Sequence, residues 1–167
     1  MADYDYVDKT TGADYYGEGV LSTGTMKHFV WKRTVNFATA GDALVSSTGK
    51  FTSSDVLYIF NVVEGMMINY VAVEVTTAEG ATCTIDVGDD AVDPNGFLKA
   101  VDLEVAGWYT PDGTYGGKYL SMDTPSHGQG KLYESADEII VDFGHDTENA
   151  IADFWIAGVY FSPVYVA

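Results

Sequence analysis

The sequence predicts an all-β protein, an antiparallel β-sandwich or jelly roll with an extended N-terminal arm. Short runs rich in Val, Ile, Tyr, Phe and Thr recur along the chain, separated by Gly, Asp, Asn, Pro and Ser. No window places apolar residues at i, i+3, i+4 and i+7 over three turns, so helices should be few and short. A chain of 167 residues, 47% hydrophobic and 20% charged, can bury one core and is too apolar for disorder.

Taken in order, residues 1–26 carry Tyr4, Tyr6, Tyr15 and Tyr16 among small polar residues, with no sustained period. We read them as an arm whose tyrosines, apolar in body and polar at the tip, suit packing on a surface. The sandwich domain is expected over 27–167. It opens with strict alternation: Phe29, Trp31, Arg33, Val35 and Phe37 fall on one face of a strand, Val30, Lys32, Thr34 and Asn36 on the other. Further strands are expected at Val56–Val62, Met67–Thr77, Ala81–Val87, Phe97–Val105, Glu138–Phe143 and Asp153–Phe161. Two of them show apolar sets at Val71, Val73, Val75 and at Ala81, Cys83, Ile85, Val87. The segment Thr76 to Gly80 between them, ending in Glu79-Gly80, predicts a hairpin. Ala106 to Gly130 is a long aromatic loop, and Gly88 to Gly96 an acidic one.

Charge narrows the partners. Asp and Glu total 25 against 8 Lys and Arg, a formal net charge of -17. Such a surface repels phosphate backbones and anionic headgroups, so neither nucleic acid nor membrane is expected as a partner. The most apolar window, Val56 to Val75, is broken by Asn61, Glu64, Gly65 and Asn69. With no basic, apolar leader at the start, the expectation is a soluble protein outside the general secretory route. Cys83 is the single cysteine, so stability must come from packing or from subunits.

The candidate chemistry is sparse. Asp86, Asp89, Asp90, Asp93 and Asn95 gather hard oxygen ligands that could take calcium, yet the spacing departs from the helix-loop-helix motif and equally suits a solvated acidic turn. His28, His127 and His145 lie too far apart in sequence for a zinc pair. Ser126-His127 near Asp123 lacks a nucleophile elbow, and no Gly-Lys-Ser/Thr phosphate loop exists. With 25 acids, a carboxylate pair for glycoside cleavage can always be picked and so means little. No catalytic residue, cofactor or metal is assigned. Trp108, Tyr109, Tyr115 and Tyr119 are the stronger signal: they suit a subunit or partner contact, or a sugar platform, or a cap on the sandwich's own core.

Val73 to Asp89 (VEVTTAEGATCTIDVGD), Asp93 to Leu98 (DPNGFL) and Val101 to Leu103 (VDL) together resemble a group of small tailed-bacteriophage virion proteins, of the head decoration or cement type found in aquatic phages. Gly117 to Tyr119 and Tyr133 to Ile139 (YESADEI) extend the likeness, which spans Arg33 to Val166. The resemblance implies a jelly-roll-like sandwich with no enzymatic activity. It implies a protein made in the host cytoplasm that sits on the outer face of the virion head, binds the major capsid protein and bridges its subunits, as a homo-oligomer with a trimer first. Tyr4, Tyr6, Tyr15, Tyr16, Trp108, Tyr109, Tyr115 and Tyr119 are the candidate contacts. The alternative is a carbohydrate- or receptor-binding sandwich of a phage tail or fibre.

Overall fold

The computed structural model describes residues 2–5, 14–15, 19–20, 26–44, 49–53, 55–89, 93–112, 114–120 and 129–161. Along the chain these form β1 (Ala2–Asp5), β2 (Asp14–Tyr15), β3 (Gly19–Val20), β4 (Met26–Asn36), α1 (Phe37–Leu44), β5 (Asp55–Val62), β6 (Met66–Thr77), β7 (Thr84–Asp89), β8 (Asp93–Asp102), β9 (Gly107–Tyr109), β10 (Lys131–Leu132), β11 (Asp137–Phe143) and β12 (Ile151–Phe161). The smaller sheet runs β1-β5-β11-β7-β8, and the larger β10-β6-β12-β4-β2, with β9 also on β6 and β3 also on β4. The two pack face to face as the expected sandwich.

Alternation explains the packing. On β4, Phe29, Arg33, Val35 and the following Phe37 are buried, as the sequence pattern requires, while Val30 and Thr34 are exposed. The opposite sheet supplies Leu57, Phe60, Ile85, Val87, Ile139, Val141 and Phe143. Phe51 stacks on Phe143 with centroids 4.7 Å apart, and Phe37 meets both rings and Phe154 edge-on. Such offset and edge contacts are the arrangements the ring quadrupoles favour. The strand expected to run through Phe37 stops at Asn36, whose side-chain oxygen accepts from the Thr39 N–H at 3.2 Å and caps α1.

One expectation needs correction. The hairpin across Thr76 to Gly80 does not form: β6 belongs to the larger sheet and β7 to the smaller, so the segment crosses between them. Gly80 does take the positive φ the turn signal asked for, +82°. Long-range bonds decide the direction. The Glu79 N–H donates to Leu103 O at 2.9 Å, and the Glu79 carboxylate accepts from the backbone N–H groups of Glu148 (3.0 Å), Asn149 (2.8 Å) and Ala150 (2.8 Å). The sets Val71, Val73, Val75 and Cys83, Ile85, Val87 therefore face each other across the core instead of lying side by side.

Within the otherwise antiparallel sheets one strand pair is parallel. β1 adds to the outer edge of β5 in parallel, from Ala2 against Asp55 to Asp5 against Tyr58. β2 and β3 pair with β4 at Trp31–Lys32 and Lys27–His28. Where it is described, the N-terminal segment thus lies as short strands along one edge of each sheet.

The long loop covers two further edges. It starts with β9 paired to Val73–Val75, and then turns at Asp112, whose side chain accepts from the N–H groups of Thr114 and Tyr115. It next docks on β8, with Tyr115 O accepting from Lys99 N–H and the Gly117 and Tyr119 N–H groups donating to Phe97 and Gly96. A Cβ at Gly117 would lie 2.1 Å from Asn95 O, so only glycine permits this approach. Capping free edges in this way removes templates for unwanted strand pairing.

Candidate functional site

The outward face of the larger sheet is organised by register. Lys32, Trp155 and Ala72 form one row across β4, β12 and β6. Thr34, Asp153, Glu74 and Trp108 form the next, extended onto β9, and Val30, Ala157 and Tyr70 form the row on the other side. Trp108 is 56% exposed, Tyr70 40% and Val30 38%, which gathers three of the large exposed apolar side chains on this one surface. Contiguous apolar surface rimmed by polar groups marks interaction sites far more often than scattered single residues do.

One unit of this face is filled from within the protein. The Lys32 ammonium sits 5.1 Å from the Trp155 ring centroid and pairs with the Asp153 carboxylate at 2.6 Å. The Thr34 hydroxyl donates to the same carboxylate. These bonds allow Asp153 to lie 6% exposed on an outer face, since a buried charge must be paired. The Trp108 ring lies beside this unit, its centroid 6.1 Å from that of Trp155.

The other tyrosines of the long loop turn inward. Tyr109 is buried and donates its hydroxyl to Val105 O at 2.9 Å, and Tyr115 packs edge-on against it at 5.0 Å. Tyr119 packs on Phe97 and belongs to an ionic cluster with Asp89, Lys131, Tyr133, Asp93 and Lys118. Of the four loop aromatics, Trp108 alone is largely exposed. The arm backbone at Tyr4 and Tyr15 is strand-paired, and Tyr6 and Tyr16 lie outside the described residues.

The acidic stretch divides rather than converging. Asp89 points into the sandwich, where Lys131 neutralises it. Burial pushes its carboxyl up, but the bonds from Lys131, Tyr119 and the Asp93 N–H outweigh that and hold it below the usual carboxylate range. Asp93 pairs with Lys118, and Asp86 lies on the outer face, accepting from Ala100 N–H at 2.6 Å. Asn95 is exposed on β8 and Asp90 lies outside the described residues. Among the described residues no group of three His, Cys, Asp or Glu is placed to hold a metal. His28 and His145 are exposed at separate places, and His127, Ser126 and Asp123 are not described. No helix among the described residues is long and apolar enough to cross a membrane.

Sequence reasoning missed Glu74, Lys32, Asp153 and Trp155. A partial signal existed, since Trp155 and Lys32 both occupy the polar phase of their strands. The pairing of Glu74 with Trp108 carried none, because it depends on where a three-residue strand docks.

No protein-family model and no curated protein sequence matches the chain. Among solved structures, a chain of the capsid of Ralstonia phage GP4 has the same fold at a TM-score of 0.55, with 10% identity, over 86% of this chain and 91% of that one. A chain in the acidic stable capsid structure of Helicobacter pylori bacteriophage KHP30 aligns at 0.49, with 16% identity, over 81% and 88%. The resemblance to phage virion proteins therefore holds at the level of fold, which the protein shares with a chain of a phage capsid.

Proposed function

We propose that the protein is a bacteriophage capsid decoration, or cement, protein that binds the outer shell and bridges capsid subunits without catalysing a reaction. The observation that carries this reading is the fold shared over most of both chains with a component of the GP4 capsid. Fold by itself leaves the role open, so the surface matters. Supporting it, the outer face of the larger sheet concentrates Trp108, Tyr70 and Val30, and buried aromatic anchors dominate binding energy at protein interfaces. In this reading residues 1–26 act as an arm on a sandwich of 27–167, and Tyr4, Tyr6, Tyr15 and Tyr16 join Trp108 as contacts. A trimeric unit would grip several capsid subunits at once and gain from multivalency.

The test is the number of copies per purified virion, measured by quantitative mass spectrometry against the major capsid protein. Near-stoichiometric copies are expected. A handful of copies would move the protein to a tail or fibre, where the exposed Trp108 would serve glycan or receptor binding instead, and absence from the particle would overturn the structural role.

A further inference from the structure

We propose that Trp108 and Glu74 together form the receptor for a basic side chain, an arginine foremost, on a partner protein. The two residues are cross-strand neighbours on the outward face of β9 and β6. Cross-strand neighbours have Cβ atoms about 5 Å apart, close enough for one guanidinium to stack on the indole and pair with the carboxylate.

The protein itself displays the filled version next door. Lys32 lies over Trp155 and pairs with Asp153, one row away on the same surface. Trp108 and Glu74 repeat this pairing of indole and carboxylate, and among the described residues Glu74 has no cationic partner. Trp108 is 56% exposed, so its ring is open to an incoming group.

Charge selects the occupant. The only arginine in the chain, Arg33, is buried; of the lysines whose side chains are described, Lys32, Lys50, Lys118 and Lys131 each sit in an ion pair and Lys99 is exposed on β8. A second copy thus offers no exposed arginine, and its net charge of -17 would repel the first. The complement is a different protein presenting an exposed basic residue beside apolar surface that covers Tyr70 and Val30. Arginine suits the site better than lysine because its plane can stack while its fork bonds the carboxylate. The inference deepens the decoration reading and rests on it only in taking the partner to be a shell protein.

Two measurements test it with the full-length protein. In the first, capsids stripped of the protein are rebound with wild type, Glu74→Gln, Trp108→Ala and the control Glu104→Gln. Loss of the charge-assisted bond should weaken attachment by about tenfold or more, loss of the indole at least as much, and the control should match wild type. In the second, the Trp108 indole N–H resonance is followed while a capped tripeptide with arginine between two glycines is added. The resonance should move, less for the lysine peptide and not for the citrulline peptide, and Glu74→Gln should abolish the effect.

Where wild type attaches to shells, equal attachment by Glu74→Gln and Trp108→Ala overturns the inference. Where wild type does not attach, the decoration reading fails and the titration decides the receptor alone. An unmoved resonance would then overturn it, as would a response at Trp108 to a neutral oligosaccharide such as cellohexaose in place of the arginine peptide.

Discussion

Glu79→Ala should be the most informative single substitution outside the proposed binding face. The Glu79 carboxylate accepts three backbone N–H bonds, from Glu148 at 3.0 Å and from Asn149 and Ala150 at 2.8 Å. It thereby ties the end of β6 to the turn that begins β12, the two strands that carry Glu74 and Trp155. Ala150 is buried, so its N–H would lose its partner with no water to replace it, at about 1–3 kcal/mol. Glu148 and Asn149 are exposed and their N–H groups can be rehydrated, which limits the loss to about 0.5–1 kcal/mol each. The expected destabilisation is about 2–5 kcal/mol, or a fall in Tm of about 5–15 °C for a chain of this size. Glu79→Gln keeps the shape but turns an amide N–H₂ toward one of the donors, and should lose about 2 kcal/mol. Urea unfolding followed by tryptophan fluorescence, with the exposed Glu104→Ala as control, measures both. A Glu79→Ala protein within about 0.5 kcal/mol of wild type would show that the carboxylate is not what holds the crossover.

Three other outcomes are expected. Gly158→Ala should cost about 3 kcal/mol, because its Cβ would lie 2.0 Å from Met67 O at a bulge between β12 and β6, whereas Gly80→Ala has open space and should cost only the 1–2 kcal/mol or so of a positive φ; equal losses in denaturant titrations would contradict this. On the outer face of the smaller sheet Asp86 and Asp142 are directly opposed, and both carboxyls are raised, by burial first and then by a neighbouring acid, Asp93 for Asp86 and Asp86 for Asp142. Acids raised in the native state add stability that is fully present below the unfolded value of about 3.9 and lost as pH rises through the native one. Asp142→Asn should therefore stabilise at pH 7 by about 0.2–1 kcal/mol and give no gain near pH 4, read from thermal unfolding at both pH values. Cys83 is buried against Thr147 and its thiol is pushed up to about 11, chiefly by burial, so it should resist Ellman's reagent in the native protein at pH 8 and react once urea unfolds it; rapid native labelling would refute that burial.

The sequence determined the β character of this protein, the inward phase of its strands and its strongly negative net charge. Alternation in Phe29 to Phe37 and in Val71 to Val75 is a local property of a period-two backbone, and it survives any change of partner strand. Net charge is likewise a sum that needs no coordinates. Gly80 was legible as a bend for the same local reason, since a positive φ belongs to the residue itself.

Only the tertiary structure decided which sheet the chain entered after that bend. The Glu79 carboxylate chooses among backbone donors some seventy residues away, and no spacing near Gly80 encodes that choice. The same holds for the long loop, whose four aromatics look equivalent in sequence. Three pack on the protein's own core or ionic cluster, and β9 pairing sets Trp108 beside Glu74 on the open face. Pairing energies of this kind arise between segments distant in the chain, so the exposed face that carries Trp108 and Glu74 exists only once the sandwich has closed.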